Sequence, residues 1–419
     1  MDKLDNKTGS KEVDAISDDK IFGPLIKKFK KCNIPKMKNK ISEILKIIYS
    51  IDISEDDLRK IVFEGIPDEF SDLRSLIWKI ILNYLPLNCK IWEETLNRKR
   101  ADYLLLKQKF LVKLDLDSNE QKEMEKYQKK KKKKNDHPLS DTDDSQWKTY
   151  FECHELLEEI EKDVRRTRTQ MSFFFMPVNI NNLKTFNSDD IVEQAENKRN
   201  KTSSSKDVSK TKKIETHADM LTRILYIYAK LNPDVRYIQG MNEILAPIYY
   251  CFSQDKSEFF SDPVHVESDS FYCFSNLMDT LKDVFLRSKD NTENGINTRI
   301  KHLTDILRIT DREIYNLFYD EKVEVQFFAF RWYTLLLTQE FEMPEILRLW
   351  DSILSDGNLL NFMIYICLGI IRIKRNEIID KDFATIMLSM QNLEKIEIEK
   401  LINTAVDILT EYNKVTQKI

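Results

Sequence analysis

Two short stretches carry side chains whose types and spacing could do chemistry. In LLEEIEKDVRRTRTQMSFFF, Leu156 to Phe175, Asp163 and Arg166 stand three positions apart. On a helix that spacing lets the carboxylate hold the guanidinium in one orientation. Ile160, Asp163 and Thr167 share a face, with Arg166 beside them. Arg165 is turned about 100° away, so the two guanidiniums cannot serve one point. The competing reading is a basic helix end whose Arg165, Arg166 and Arg168 complement the dipole, and spacing alone favours it. In RYIQGMNEI, Arg236 to Ile244, Tyr237 and Ile238 are anchors and Gln239 offers an amide. Gly240 permits a backbone conformation or a close approach that a Cβ forbids. Taken alone, Gln239 is better explained as a polar group satisfying buried backbone at a helix start.

The elements that must position these residues are helical. Apolar spacing predicts helices over Ile41–Ile48, Asp52–Val62, Ala218–Leu231, Asp269–Phe285, Arg299–Leu307 and Asp311–Tyr319. It continues through Phe327–Thr338, Met343–Leu354 and Leu359–Lys374, with Asn232-Pro233, Met343-Pro344 and Asp356-Gly357 as punctuation. The stretch EGIPDEFSDLRSLIWKIILNYLP opens on Gly65 and Pro67, offers Ser71 or Asp72 as caps, and stops at Pro86. Within it Arg74 and Trp78 are four apart, so the guanidinium can lie against the indole face. No sustained period-two alternation and no fixed-length repeat is visible. The expected class is all-α.

Composition agrees. Only 7 Gly and 10 Pro occur in 419 residues, too few for the many tight turns of a sheet-rich fold. Basic and acidic side chains nearly cancel, 66 against 70, so no global field favours nucleic acid or membrane. Six cysteines lie far apart with no CxxC pair, a pattern of free thiols in a reducing compartment. MDKLDNKTGSKEVDA has no apolar core of a signal peptide, and the longest apolar run, Phe362 to Ile371, is too short to span a bilayer. These features lead to the expectation of a cytoplasmic protein without a transmembrane segment.

Two low-complexity insertions interrupt the helical pattern, at about 122–145 and 187–213. The first contains six consecutive lysines, Lys129 to Lys134. Like charges at that density repel, so a solvated loop is the favoured reading; a weak peripheral contact with anionic membranes or a nuclear address are the others. Conventional sites are absent: there is no GxxxxGK[ST], GxGxxG, GxSxG or HExxH, and five scattered histidines lack metal-ligand spacing.

Taken as a pair, the two opening stretches resemble a known combination. IEKDVRRT is similar to the IxxDxxRT motif, and YIQGM to the YxQGM motif, of the TBC domain of Rab GTPase-activating proteins. GIPDEFSDLRSLIWKIILNYLP resembles that domain's opening helix, and FRWYTLLLTQEFEMPEILRLWDSILSDG its C-terminal half, with Trp332, Trp350 and Asp351 as landmarks. QWKTYF and HADMLTRILYIYAKLNPDVRYIQGMNEILAPIYY resemble the TBC domain family member 13 subgroup. Just after the arginine motif, Arg168-Thr169 departs from the family's usual turn chemistry.

The resemblance implies a single large two-lobed all-α TBC-type domain over 63–375, carrying both insertions. It follows a disordered stretch, 1–20, and a helical extension, 21–62, and precedes a helical segment, 376–419. It implies that Arg166 is an arginine finger and Gln239 a glutamine finger, both offered in trans to a GTP-bound Rab-family GTPase. Asp163 and Thr167 would fix Arg166, and Tyr237, Gly240 and Met241 would shape the loop presenting Gln239. Arg74, Trp78, Trp332, Trp350 and Asp351 would be structural. No cofactor of its own is implied, since Mg-GTP is carried by the partner. The chain would be an activator in vesicle trafficking, not itself a nucleotide hydrolase. The alternative is a catalytically silent helical Rab-binding or scaffold protein.

Overall fold

The computed structural model describes residues 21–50, 52–128, 146–178, 215–257, 259–290, 292, 295–393 and 395–417, with backbone alone for 112–128, 146–150 and 287. In chain order its helices are α1 (Phe22–Lys31), α2 (Pro35–Ile48), α3 (Glu55–Phe63), α4 (Ser71–Ile81), α5 (Trp92–Gln128) and α6 (Gln146–Arg166). They continue as α7 (His217–Leu231), α8 (Met241–Ser253), α9 (Pro263–Phe285), α10 (Ile296–Thr310) and α11 (Arg312–Asp320). The last are α12 (Gln326–Thr334), α13 (Met343–Ser355), α14 (Leu359–Ile378), α15 (Phe383–Gln391) and α16 (Ile398–Thr416). No strand occurs among the described residues; the one β-type pairing is an isolated bridge between Pro177 and Thr216. The all-α expectation holds.

Local chemistry explains where the helices start and stop. Thr216 and Asp219 form a reciprocal capping box at the head of α7, and Glu342 and Glu345 do the same for α13. Asp311 closes α10 and caps α11, its side chain accepting from the Ile314 amide. Two expectations fail here. Neither Ser71 nor Asp72 caps α4: a short 3-10 turn, Asp68–Phe70, leads into it, and Asp72 accepts from Lys28 instead. The helix expected to reach Thr338 ends at Thr334, because Leu336 and Leu337 take left-handed φ of 48° and 61°. That turn buries both leucines and presents the Leu336 carbonyl to the Trp350 indole at 3.1 Å.

Helix α5 runs on to Gln128, into the stretch expected as the first insertion. Lys129–Lys134 and 187–213 lie outside the described residues.

The contacts of the chain gather it into two units. The first comprises Met1–Thr95, Glu243–Ser261 and Tyr272–Ile419; the second comprises Leu96–Asn242 and Asp262–Phe271. In the first unit α14 is buried through most of its length, and α16 crosses it at Gly369. A Cβ there would meet Leu401 Cδ1 at 3.1 Å and the Leu401 carbonyl at 3.3 Å, so glycine is what lets the two helices approach. In the second unit α6 packs on α7, with Ile160, Val164, Ile224 and Leu225 excluded from water. Burial of such aliphatic side chains contributes roughly 1.5–3 kcal/mol apiece and sets the relative rotation of the pair.

Candidate functional site

Arg166 is the last residue of α6 and Gln239 stands two residues before α8; both belong to the second unit. The Arg166 side chain is 57% exposed, yet its Nη2 donates to Asp163 Oδ1 at 2.6 Å. The three-residue spacing therefore does what helix geometry allows: a nearly buried carboxylate restrains an outward guanidinium. Arg165 points elsewhere and pairs with Glu161 at 3.3 Å.

The second Asp163 oxygen is also engaged. Tyr237 donates its phenol hydrogen to Asp163 Oδ2 at 2.7 Å. Burial, with the hydrogen bond to Asp163 and that carboxylate's charge behind it, pushes the Tyr237 phenol well above its ordinary range and keeps it protonated. One carboxylate thus bridges the residue that ends α6 to the residue that begins the glutamine loop.

Asn242 supplies a second bridge that sequence reasoning missed. Its Nδ2 donates to Thr167 Oγ1 at 2.8 Å, and its Oδ1 accepts from the Gly240 amide at 3.1 Å. Thr167 Oγ1 in turn donates to the Asp163 carbonyl at 3.0 Å. Thr167 and Asn242 are buried. One side-chain amide so links the residue after Arg166 to the residue after Gln239. The available signal was an Asn at the head of the apolar run Ile244–Tyr250, since an amide buried there needs partners for both ends.

Gln239 itself is exposed and makes no side-chain hydrogen bond among the described residues, so it does not satisfy buried backbone. Gly240 has φ of +105°, in the region L side chains rarely adopt, and this turns the chain into α8. Met241 is fully buried behind it. Arg168 lies just beyond α6 with φ of +48° and a buried side chain.

The remaining motif residues sit in the first unit. Arg74 does not stack on Trp78. Its Nε and Nη2 reach Asp351 at 3.1 Å, and the Trp78 indole donates to the same carboxylate at 2.9 Å. The Ile66 amide and Asp68 complete the cluster at 2.8 Å each. The carboxylate has drawn the guanidinium off the ring, because a buried charge gains more from an opposite charge than from a π face. Trp350 packs against Trp78 with centroids 5.9 Å apart, and Trp332 lies buried against Phe328 at 4.8 Å. Among the described residues no cluster of three or more His, Cys, Asp or Glu is placed to hold a metal ion. None of their helices is long and apolar enough to cross a membrane.

Comparison with known proteins adds an independent line. The family model of the Rab-GTPase-TBC domain matches residues 179–379, a span that includes Gln239 and begins after Arg166. TBC1 domain family member 13 of Mus musculus is 33% identical over 398 residues, covering 88% of this chain and 98% of that protein. The GTPase-activating protein GYP1 of Saccharomyces cerevisiae is 25% identical over 320 residues, covering 73% of this chain and 38% of that protein. Among solved structures, the Ypt/Rab-GAP domain of Gyp1p superposes with a TM-score of 0.64 at 21% identity. That match covers 90% of this chain and 99% of that one, a likeness of fold.

Proposed function

The chain belongs to the Rab-GTPase-TBC domain family, and from that premise we propose that it accelerates GTP hydrolysis on a Rab-class small GTPase by lending Arg166 and Gln239 in trans. The observation that supports this most is the pairing of two exposed side chains with a buried polar network beneath both. Exposed residues serving only as surface need no such anchoring. Arg166 thereby loses rotamer freedom and Gln239 rides on a fixed backbone turn before docking, as groups aimed at a partner's substrate require.

The residue types suit the task. A guanidinium is permanently charged and forked, so it can neutralise charge building on the bridging and γ-phosphate oxygens as the bond to the leaving group breaks. An amide donates and accepts at once, so Gln239 can hold the attacking water against a phosphate oxygen. Asp163 holds the Arg166 guanidinium in one orientation over the last turn of α6, and its own negative charge is offset by Tyr237 and the guanidinium itself. Mg-GTP belongs to the partner and is the substrate, so the chain needs no nucleotide pocket of its own. We place this activity in the cytoplasm, in membrane trafficking.

A panel of GTP-loaded Rab GTPases tests the reading. The wild-type chain should stimulate at least one, and Arg166→Ala and Gln239→Ala should each remove most of a stimulation worth about 10³ to 10⁵ in rate. Binding of a GTP-loaded Rab with no rate increase by the wild type would instead favour a silent binding module.

A further inference from the structure

Residues 21–42 hold seven lysines and no Asp, Glu or Arg, in a chain whose net charge is −4. This stretch forms a hairpin of α1 and α2. Its base is anchored in the first unit: Phe22 stacks on Trp92 with centroids 5.6 Å apart, and Ile41, Ile44 and Ile48 are buried. Lys28 turns inward to Asp72 at 2.7 Å, and Lys40 donates to the Glu64 carbonyl at 2.9 Å.

The apex is different. Lys27, Lys30, Lys31, Lys36 and Lys38 are all exposed, and they surround Ile34, which is 54% exposed between Asn33 and Pro35. Lys38 also lies over the Phe29 ring at 5.7 Å, which ties the two helices together near the tip.

We propose that this apex docks on an anionic lipid bilayer, with the lysines over the headgroups and Ile34 entering the headgroup–acyl boundary. Lysine clusters gain attraction from the negative surface potential of such membranes without needing directed hydrogen bonds. The inserted apolar side chain supplies the non-ionic part of the binding. The absence of arginine argues against nucleic acid, whose phosphates and bases reward a planar fork. This surface is independent of the GTPase-activating reading and of the Lys129–Lys134 block.

Flotation of the full chain with phosphatidylcholine vesicles, with and without phosphatidylserine, tests it. Wild type should bind only the anionic vesicles, and added salt should weaken that binding. The triple variant Lys27→Glu/Lys31→Glu/Lys36→Glu should lose roughly tenfold or more of the binding. Ile34→Asp should lose several-fold, with thermal melting unchanged in both because the positions are exposed. A variant with Lys129–Lys134 replaced by serine should bind as wild type does. No binding of wild type to anionic vesicles would overturn the proposal. So would loss confined to the Lys129–Lys134 variant, or binding to an RNA oligonucleotide at the same strength with Ile34→Asp neutral.

Discussion

Tyr237 and Asp163, 74 residues apart in the chain, share a 2.7 Å hydrogen bond, and the other oxygen of that carboxylate holds Arg166. The phenol therefore consumes one lone pair of Asp163 and turns its second oxygen toward the guanidinium. Removing only the hydroxyl should leave the fold intact and the arginine less restrained. Tyr237→Phe is expected to lower stimulated GTP hydrolysis about tenfold, the worth of one hydrogen bond to a charged group. In an Arg166→Ala background the same change should cost almost nothing, and a full further loss there would show that Tyr237 does not act through Arg166.

Asn242 joins Thr167 to the Gly240 amide, so its truncation should loosen both exposed residues at once. Asn242→Ala should reduce the stimulated rate roughly 10- to 100-fold while binding of the GTP-loaded partner stays near wild type. Amide exchange at Gly240 should speed up in the same variant. Unchanged exchange with unchanged rate would dismiss the bridge as incidental.

Asp351 is fully buried and faces Arg74, Trp78 and the Ile66 amide. Asp351→Asn preserves the volume but leaves the guanidinium without its counter-charge. The expected loss is about 3–5 kcal/mol of stability, read by urea denaturation. A loss under about 1 kcal/mol would mean that Arg74 finds another partner, Asp68 being the nearest.

Glu267 sits wholly buried in the second unit with Tyr103 and Lys107 on one side and Arg223 on the other. Burial alone would raise its carboxyl, but Arg223 and Lys107 outweigh that and hold it at about 2 against an ordinary 4.5. A depressed folded-state value means stability fully present above about pH 4.5 and lost as pH falls toward 2. That swing is on the order of 3 kcal/mol. Acid titration of the wild type should show the loss in this window. Glu267→Gln should flatten it and be less stable at neutral pH, because Lys107 loses its counter-charge and buried Arg223 keeps only Glu215. An unchanged acid profile in Glu267→Gln would refute the assignment.

Much of the helical layout was legible from residue spacing. Apolar positions recurring every three or four residues and breakers such as Asn232-Pro233 are local signals, and the helices follow them. What failed were boundaries where tertiary contacts override local preference, as at Leu336 and Leu337, whose burial bends the chain left-handed. Arg74 failed for the same reason: Trp78 is its neighbour in sequence, but Asp351, 277 residues away, offers the stronger interaction.

The residues themselves put an orientable guanidinium at Arg166, three positions from Asp163, and an amide at Gln239 before a glycine that had to turn; only the resemblance of the two motifs to a known pair turned them into candidate fingers. Family membership was already written in the order of the motifs. Only tertiary structure decided that Asp163 would be shared with Tyr237, and that Asn242 would span 75 positions to Thr167. Periodicity is set by neighbours within a turn of helix, whereas a buried amide or carboxylate is satisfied by whatever partner folding delivers to it.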